Sequence, residues 1–450
     1  MSSLDPAQAA PVTNVDDGLP VKLREHPTAR NAAIAVQRIP RGGLVCTSLV
    51  LAAVLLPDSK GKRCDFCHRS ASTSVRLQKC TGCAAYWYCG KGCQSKAWAA
   101  HHRYICKRHA RWIASWDYAR LPQHERLDAE MLSQIACGSA RIPEGLLETM
   151  SSLLPSKHPL PTLPVLTPPS PAVDLDVPAM HQRFGNNNFI LHSHLNSYAH
   201  GAYPRTSRLF NHSCVPNAVP RYVLAAESPP IMEIIALRDI EVGEEVCIPY
   251  TDPALDIESR TRGLEGQGGF TCLCKLCTWQ RRVMPTLVRP DQETLLAHRP
   301  ALLAYTHCRF ENPPLVQDTE RDYEQIPADV CIYLHESVLP ACTEAFGEAA
   351  GDVEQADEAL EVGSTVLAIY TLIYPPNYPQ TAMHALELSK VAWNAYIKRD
   401  NSKYFRAAVW CLRTARRMFE TFGREGDEGG PLAEIEQLRV LMEAEGTGVV

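Results

Sequence analysis

At 450 residues, with 45% apolar residues and a net charge of −5, the chain has the composition of a globular protein with room for two to four domains. Its most apolar run, Leu44–Pro57, is too short to span a bilayer and reads as core. The first twenty residues show no basic segment leading into an apolar one, so a secretory start is not expected and the nucleus or cytoplasm is.

Taken in order, residues 1–20 read as a disordered lead-in. Residues 21–57 alternate in strand fashion around the turn RIPRGG. A cysteine-rich block occupies 60–110. The segment 111–180 opens with helical periodicity in ERLDAEMLSQIA and ends in a stretch with a proline every few residues, expected as an extended linker or surface loop. Residues 181–255, and on to 280, read as short strands and turns. From 285 to 450 the pattern is helical, as in DEALEVGSTVLAIYTLIY, and paired helices of that length suit a solenoid, although no fixed repeat period is present.

Eighteen cysteines are many for a chain without a secretory start, and in a reducing compartment clustered thiols bind metal. Seven (Cys46, Cys137, Cys247, Cys308, Cys331, Cys342 and Cys411) are scattered and read as small core residues. The others cluster. Cys64-x2-Cys67, Cys80-x2-Cys83 and Cys89-x3-Cys93 precede a His101-His102-x3-Cys106 segment. Two-residue gaps let two thiolates reach one zinc ion from a tight turn, and i, i+4 pairs share a helix face. Eight ligands make two sites. Either histidine is within reach, and His102 is preferred for its spacing to Cys106. A second set, Cys272-x-Cys274-x2-Cys277, offers three thiolates where a structural zinc takes four. The distant Cys214, in the polar cluster NHSCVPN, is the candidate fourth, which would pin that turn to the far edge of the region.

The order C-x2-C, C-x2-C, Y-C-x3-C-Q, W, H, C resembles the MYND zinc finger. That resemblance implies interleaved sites, with Cys64, Cys67, Cys89 and Cys93 on one ion and Cys80, Cys83, a histidine and Cys106 on the other. It implies a finger with almost no hydrophobic core, folded by its zinc, that docks proline-rich peptides; its basic surface allows nucleic acid as a lesser option. NHSC-x-PN, then GEE-V-x-I-x-Y, then F-x-C-x-C-x2-C resemble a SET domain. Together they resemble the SET-and-MYND family of protein lysine methyltransferases, and YPPNYPQTAMHALELSK resembles that family's helical C-terminal domain. The implied fold is multi-domain α+β: a β-rich SET domain (21–57 and 181–255) interrupted by the finger, a post-SET zinc segment at 256–280, and a TPR-like helical domain from 285.

The implied chemistry is methyl transfer from S-adenosylmethionine to the ε-amine of a lysine in a protein substrate, with three zinc ions and no membrane. By resemblance, Asn31, Asn187, Asn211, His212 and Phe270 would hold the cofactor, Phe270 by stacking on adenine, and Tyr250 would line the lysine channel. Two departures stand out. The family's Gly-x-Gly turn is here Arg30-Asn31-Ala32, so room for close backbone approach is lost. The tyrosine expected two residues before the stacking aromatic is Gly268, which leaves the channel short of one ring and one hydroxyl. These departures favour, as an alternative, a weak or inactive adaptor that uses the finger to recruit proline-rich partners.

Charge is uneven. Lys60–Ala110 holds eleven Lys/Arg and one acid, whereas Glu311–Glu361 holds fourteen Asp/Glu and one base. The acidic stretch reads either as solvated helix faces or as a wall that attracts lysine-rich substrates.

Overall fold

The computed structural model describes residues 18–445 except 28, 144, 172–174, 312–314, 316–317 and 427–429. Most of the expected lead-in therefore lies outside the described residues. Strand β1 (Val21–Arg24) pairs antiparallel with β2 (Ala32–Ala35), and the RIPRGG turn then leads into β3 (Leu44–Leu49) and β4 (Ala52–Leu55). The apolar run Leu44–Pro57 thus becomes two adjacent strands, and Val45, Cys46, Val54 and Leu55 are buried.

The finger contributes the short ladder β5 (Gln78–Lys79) with β6 (Trp87–Tyr88). The later strands are β7 (Asn188–Ser193), β8 (Asn196–Ala202), β9 (Asn211–His212), β10 (Ala218–Val223), β11 (Ile231–Ala236) and β12 (Cys247–Ile248). They rejoin the early ones. β8 lies between β4 and β7, and β11 between β3 and β10, so two strands that precede the finger are locked into sheets with strands from beyond it. β9 and β12 run parallel, Asn211 opposite Cys247 and His212 opposite Ile248.

Three expectations need correction. The region 180–280 is not only strands and turns: it carries helices Val177–Asn187, Ile257–Gln267 and Lys275–Val283. Their start signals are local. Asp176 accepts the Ala179 amide at 2.9 Å with proline in the first turn, and Asp256 accepts that of Ser259 at 2.8 Å. The proline-rich stretch is not a free linker. Leu163 and Leu166 are buried, the Trp112 indole donates to the Pro164 carbonyl at 3.0 Å, and the Leu166 amide donates to Ser133 Oγ at 3.0 Å. A proline-rich backbone has few amides to satisfy, so its carbonyls are anchored by side chains of the Gln123–Gly138 helix and its neighbours. Finally, the finger is not almost coreless. Its buried Cys64, Cys67, Tyr86 and Ile105 share one apolar cluster with Leu127, Met131 and Met150 of the helical insert, residues 111–180, and with Phe184 just after it.

Beyond residue 285, helices Val338–Ala350, Ala356–Ile373, Pro379–Arg399, Ser402–Phe422 and Pro431–Ala444 each pack on the next, a solenoid-like array with one continuous core. Its start signals are Pro379 at the head of one helix and Asn401, whose side chain accepts the Lys403 amide at 3.0 Å, at the head of the next. The turn after Phe422 stitches this array to the β7–β8 hairpin. The Glu425 carboxylate is buried, accepts the His194 amide at 3.0 Å and lies 3.2 Å from His192 Nδ1. Six acids of the 311–361 stretch (Asp318, Glu320, Glu324, Glu354, Asp357 and Glu361) pair with bases outside it, such as Arg41, Lys275, Arg282 and Arg399. Much of that charge is therefore spent on the fold's own surface.

His384 gives this array a pH dependence. It is buried against Phe346 and Tyr370, its Nε2–H donates to the Gly363 carbonyl at 2.8 Å, and burial pushes its pKa down to about 4 from an ordinary 6.5. The unfolded chain therefore binds a proton between pH 6.5 and 4 that the folded chain refuses. Stability present above pH 6.5 is lost as pH falls through that window, by up to about 3 kcal/mol. Thermal melts from pH 7 to 4.5 should show a smaller drop for His384→Gln, whose amide can still donate to Gly363, than for the parent.

Candidate active site and metal centres

Three sets of ligand atoms converge, each within 4.8 Å of one another: Cys64, Cys67, Cys89 and Cys93; Cys80, Cys83, His102 and Cys106; and Cys214, Cys272, Cys274 and Cys277. Sulfurs around a zinc at about 2.3 Å stand about 3.8 Å apart along a tetrahedron edge. The Cys67–Cys89 distance is 3.6 Å, Cys80–Cys106 is 3.7 Å, and Cys214–Cys277 is 3.5 Å. These separations are far too long for disulfides and fit a shared ion, so each set fits zinc.

Local geometry explains each set. Gly82 sits inside the Cys80–Cys83 turn because a Cβ there would stand 2.7 Å from Cys106 Sγ. Of the two histidines it is His102 that reaches the thiolates, with Nε2 3.4 Å from Cys80 and 3.7 Å from Cys83. Tyr86, Tyr88 and Trp98 box its ring, and burial holds it neutral, as a zinc ligand must be, with a pKa of about 4. Cys89 does not share a helix face with Cys93 as its spacing suggests. The helix begins at Lys91, so Cys89 approaches from the strand end β6. Of the seven scattered cysteines, five are buried, and Cys247 and Cys342 are half-buried.

The third set joins the residues farthest apart in sequence, Cys214 and Cys277 being 63 positions apart. Cys214 follows β9, while Cys274 caps the Lys275–Val283 helix and Cys277 lies within it. Asn217 secures the turn between β9 and β10: its amide donates to the Glu245 carbonyl at 2.8 Å and its oxygen accepts the Cys247 amide at 2.9 Å. Arg260, wholly buried, lies beside this set, with a guanidinium nitrogen 3.8 Å from Cys277 Sγ and another 2.8 Å from the Pro253 carbonyl. Four thiolates around a divalent ion leave two negative charges, and Arg260 answers one of them.

On the same turn, Asn211 donates to the Asn31 carbonyl at 2.7 Å and to Glu245 at 2.8 Å. His212 Nδ1 accepts the Tyr250 amide at 2.9 Å, so its proton sits on Nε2, which points at Cys214 Sγ 3.2 Å away. Burial pushes its pKa down to about 4, in keeping with that neutral tautomer. The Tyr250 hydroxyl donates to the Phe210 carbonyl at 2.6 Å. The rings of His212, Tyr250 and Phe270 form a triangle with sides of 5.3, 6.1 and 6.4 Å, and Tyr250 and Phe270 are 43% and 36% exposed, so one face of the triangle is open.

Asn187 ends its helix and is buried. It meets the rest of the constellation through the proline-rich segment, donating to the Leu154 carbonyl at 3.5 Å and to Arg183 within its own helix at 2.7 Å. Arg30, where a glycine was expected, donates to the Ser152 carbonyl of the same segment at 2.6 Å. Gly268 is not an empty notch. A Cβ there would lie 2.6 Å from the Phe270 ring, which folds back over the glycine.

The SET domain family model matches residues 32–251. Human SMYD3, a histone-lysine N-methyltransferase, is 26% identical over 454 residues, spanning 94% of this chain and 97% of that protein. The chain carries a SET domain and is similar, along nearly its whole length, to a SET-and-MYND protein. SMYD2 of Homo sapiens, an N-lysine methyltransferase, is 24% identical over 263 residues, or 54% of this chain and 57% of that protein. SMYD2-A of Xenopus laevis is 24% identical over 270 residues, 55% and 58% respectively. Sequence reading assigned no role of their own to Glu245, Arg260, Asn217 or Lys157. Glu245 had a visible signal in the GEE pair; Arg260 had none, because its partners come from residues 253–255 and 277–280. Among the described residues no helix is long and apolar enough to cross a membrane.

Proposed function

We propose that this chain transfers a methyl group from S-adenosylmethionine to the ε-amine of a lysine in a protein substrate, histone or non-histone, in the nucleus or cytoplasm. The observation that carries the reading is the fixed, half-open triangle of His212, Tyr250 and Phe270 beside Asn211 and a four-thiolate centre. Its chemistry suits the donor. A neutral His212 does not repel a cation, and aromatic faces attract one. Asn31, Asn187, Asn211, His212 and Phe270 would hold the cofactor, which supplies an electrophilic methyl on a sulfonium.

Catalysis of such an in-line displacement is largely positioning and desolvation, with no covalent intermediate on the protein. Tyr250 is held at both ends, by His212 at its amide and Phe210 at its hydroxyl. With its proton committed to a carbonyl, the phenol oxygen offers lone pairs to whatever approaches the open face. The three metal centres hold the frame and take no part in the transfer. The domain limits expected from the sequence, with the finger at 60–110 and the post-SET segment at 256–280, belong to this proposal. So does a docking role for the finger toward proline-rich peptides, with nucleic acid a lesser option. Calorimetry of zinc-loaded protein with S-adenosylmethionine, followed by radiolabel transfer to basic proteins, tests it; absence of cofactor binding would defeat it.

One observation favours the second reading, an adaptor without turnover: no side chain stands at Gly268 to complete the lysine channel. The same glycine tests the stacking role of Phe270. Gly268→Ala would push the Phe270 ring aside, and cofactor affinity measured by calorimetry should fall about five- to tenfold if that ring stacks on adenine.

A further inference from the structure

We propose that Lys157 is a positioning residue for the Phe270 loop, and that the strap from Ser151 to Leu160 forms one wall of the cofactor cleft. This deepens the cofactor reading above and rests on it. The strap touches three separate parts of the candidate site at successive points along its length. Arg30, next to Asn31, reaches Ser152; Asn187 reaches Leu154; and Lys157 Nζ donates to the Gly269 carbonyl at 2.7 Å.

The need for such an anchor follows from the sequence. Gly268 and Gly269 together carry the greatest backbone freedom a dipeptide can have, and Phe270 hangs from its end. Gly269 adopts φ +67°, and the Lys157 side chain lies where a Cβ would stand, 2.5 Å from its ideal position. The amides of Gly268 and Gly269 are already held by Leu264 and Glu265, so the orientation of the Gly269–Phe270 peptide is set by its carbonyl, and Lys157 holds that carbonyl. The glycine pair that empties the tyrosine position also admits the Phe270 ring and the lysine stem. The two peculiarities of this chain, the glycine pair and the proline-rich strap, then form one device: the strap supplies the rigidity that a tyrosine at 268 would have given.

The test uses full-length, zinc-loaded protein as parent, Lys157→Met and Lys157→Arg. Lys157 is exposed, so both variants should fold with unchanged melting temperature. Amide exchange of residues 268–271, measured without cofactor, is expected to quicken in Lys157→Met and to return toward the parent rate in Lys157→Arg, whose guanidinium can still donate to the carbonyl. Calorimetry with S-adenosylmethionine is expected to show a three- to tenfold weaker Kd for Lys157→Met, the range of one exposed hydrogen bond, again restored by arginine. Parent-like exchange in Lys157→Met overturns the proposal, whether affinity changes or not, because a change in affinity alone would mean direct contact with the ligand. Faster exchange with unaltered affinity overturns the assignment of the strap as a cleft wall. A parent protein that binds no cofactor sinks the methyltransferase reading and the cleft wall with it, while exchange still decides whether Lys157 positions the loop.

Discussion

Cys214→Ser is expected to lower the zinc content from three ions per chain to two and to weaken S-adenosylmethionine binding more than tenfold. Cys214 is fully buried, and its sulfur belongs to the four-thiolate set while receiving the His212 Nε2–H at 3.2 Å. A hydroxyl there removes a thiolate ligand and the acceptor that orients the imidazole. Structural zinc in small finger peptides contributes about 10–16 kcal/mol. Losing even part of that approaches the total stability of a typical domain, about 5–15 kcal/mol. Metal analysis by mass spectrometry, with calorimetry on the same sample, checks it. Cys411→Ser is the control, a buried cysteine outside every set that should keep three ions. Three ions in Cys214→Ser, or two in the parent, would remove the anchor from the Asn211–His212 turn.

Tyr250→Phe should cost on the order of a hundredfold in kcat and leave cofactor affinity within about threefold. The magnitude is that of removing one preorganised polar group from a reacting centre. The ring remains, so the triangle with His212 and Phe270 keeps its shape, and the His212 bond to the Tyr250 amide is a backbone bond that the substitution spares. What goes is the hydroxyl fixed on the Phe210 carbonyl. Single-turnover transfer of labelled methyl to a basic protein separates the two quantities. Unchanged transfer would take Tyr250 out of the catalytic role. A parent and variant that both bind cofactor and both transfer nothing would support the adaptor.

The metal sets were legible in the sequence because tetrahedral coordination by thiolates imposes short, countable gaps, and even the remote Cys214 was marked by the vacancy in a set of three. The strand framework was legible from alternation around RIPRGG. Helix Ile257–Gln267 was missed because its two glycines and scarce apolar residues hide the helical period, although its capping Asp256 was in plain view. The wall of the cleft was missed for another reason. Proline content tells that a segment lacks helix and sheet, and says nothing about which side chains will anchor its carbonyls. Arg183, Asn187 and Arg30 are separated from that segment by 32, 33 and 122 positions, and only the closed fold brings them to it. Gly268 was read as a missing ring; that the Phe270 ring folds back over it is a tertiary event that the sequence did not announce.

The apolar cluster common to the finger and the helical insert bears on how the finger should be probed. A module that borrows its interior from its neighbour is not a detachable bead on a string. Replacing one of its clustered cysteines would disturb the packing of Leu127, Met131 and Met150, and through them the ground on which the strap rests. A lost interaction after Cys64→Ala would thus report on the seam as much as on the finger's outer face. Trp116, just beyond the finger and turning 78% of its surface to solvent, offers the cleaner handle: altering it changes the exposed face and leaves the common interior in place.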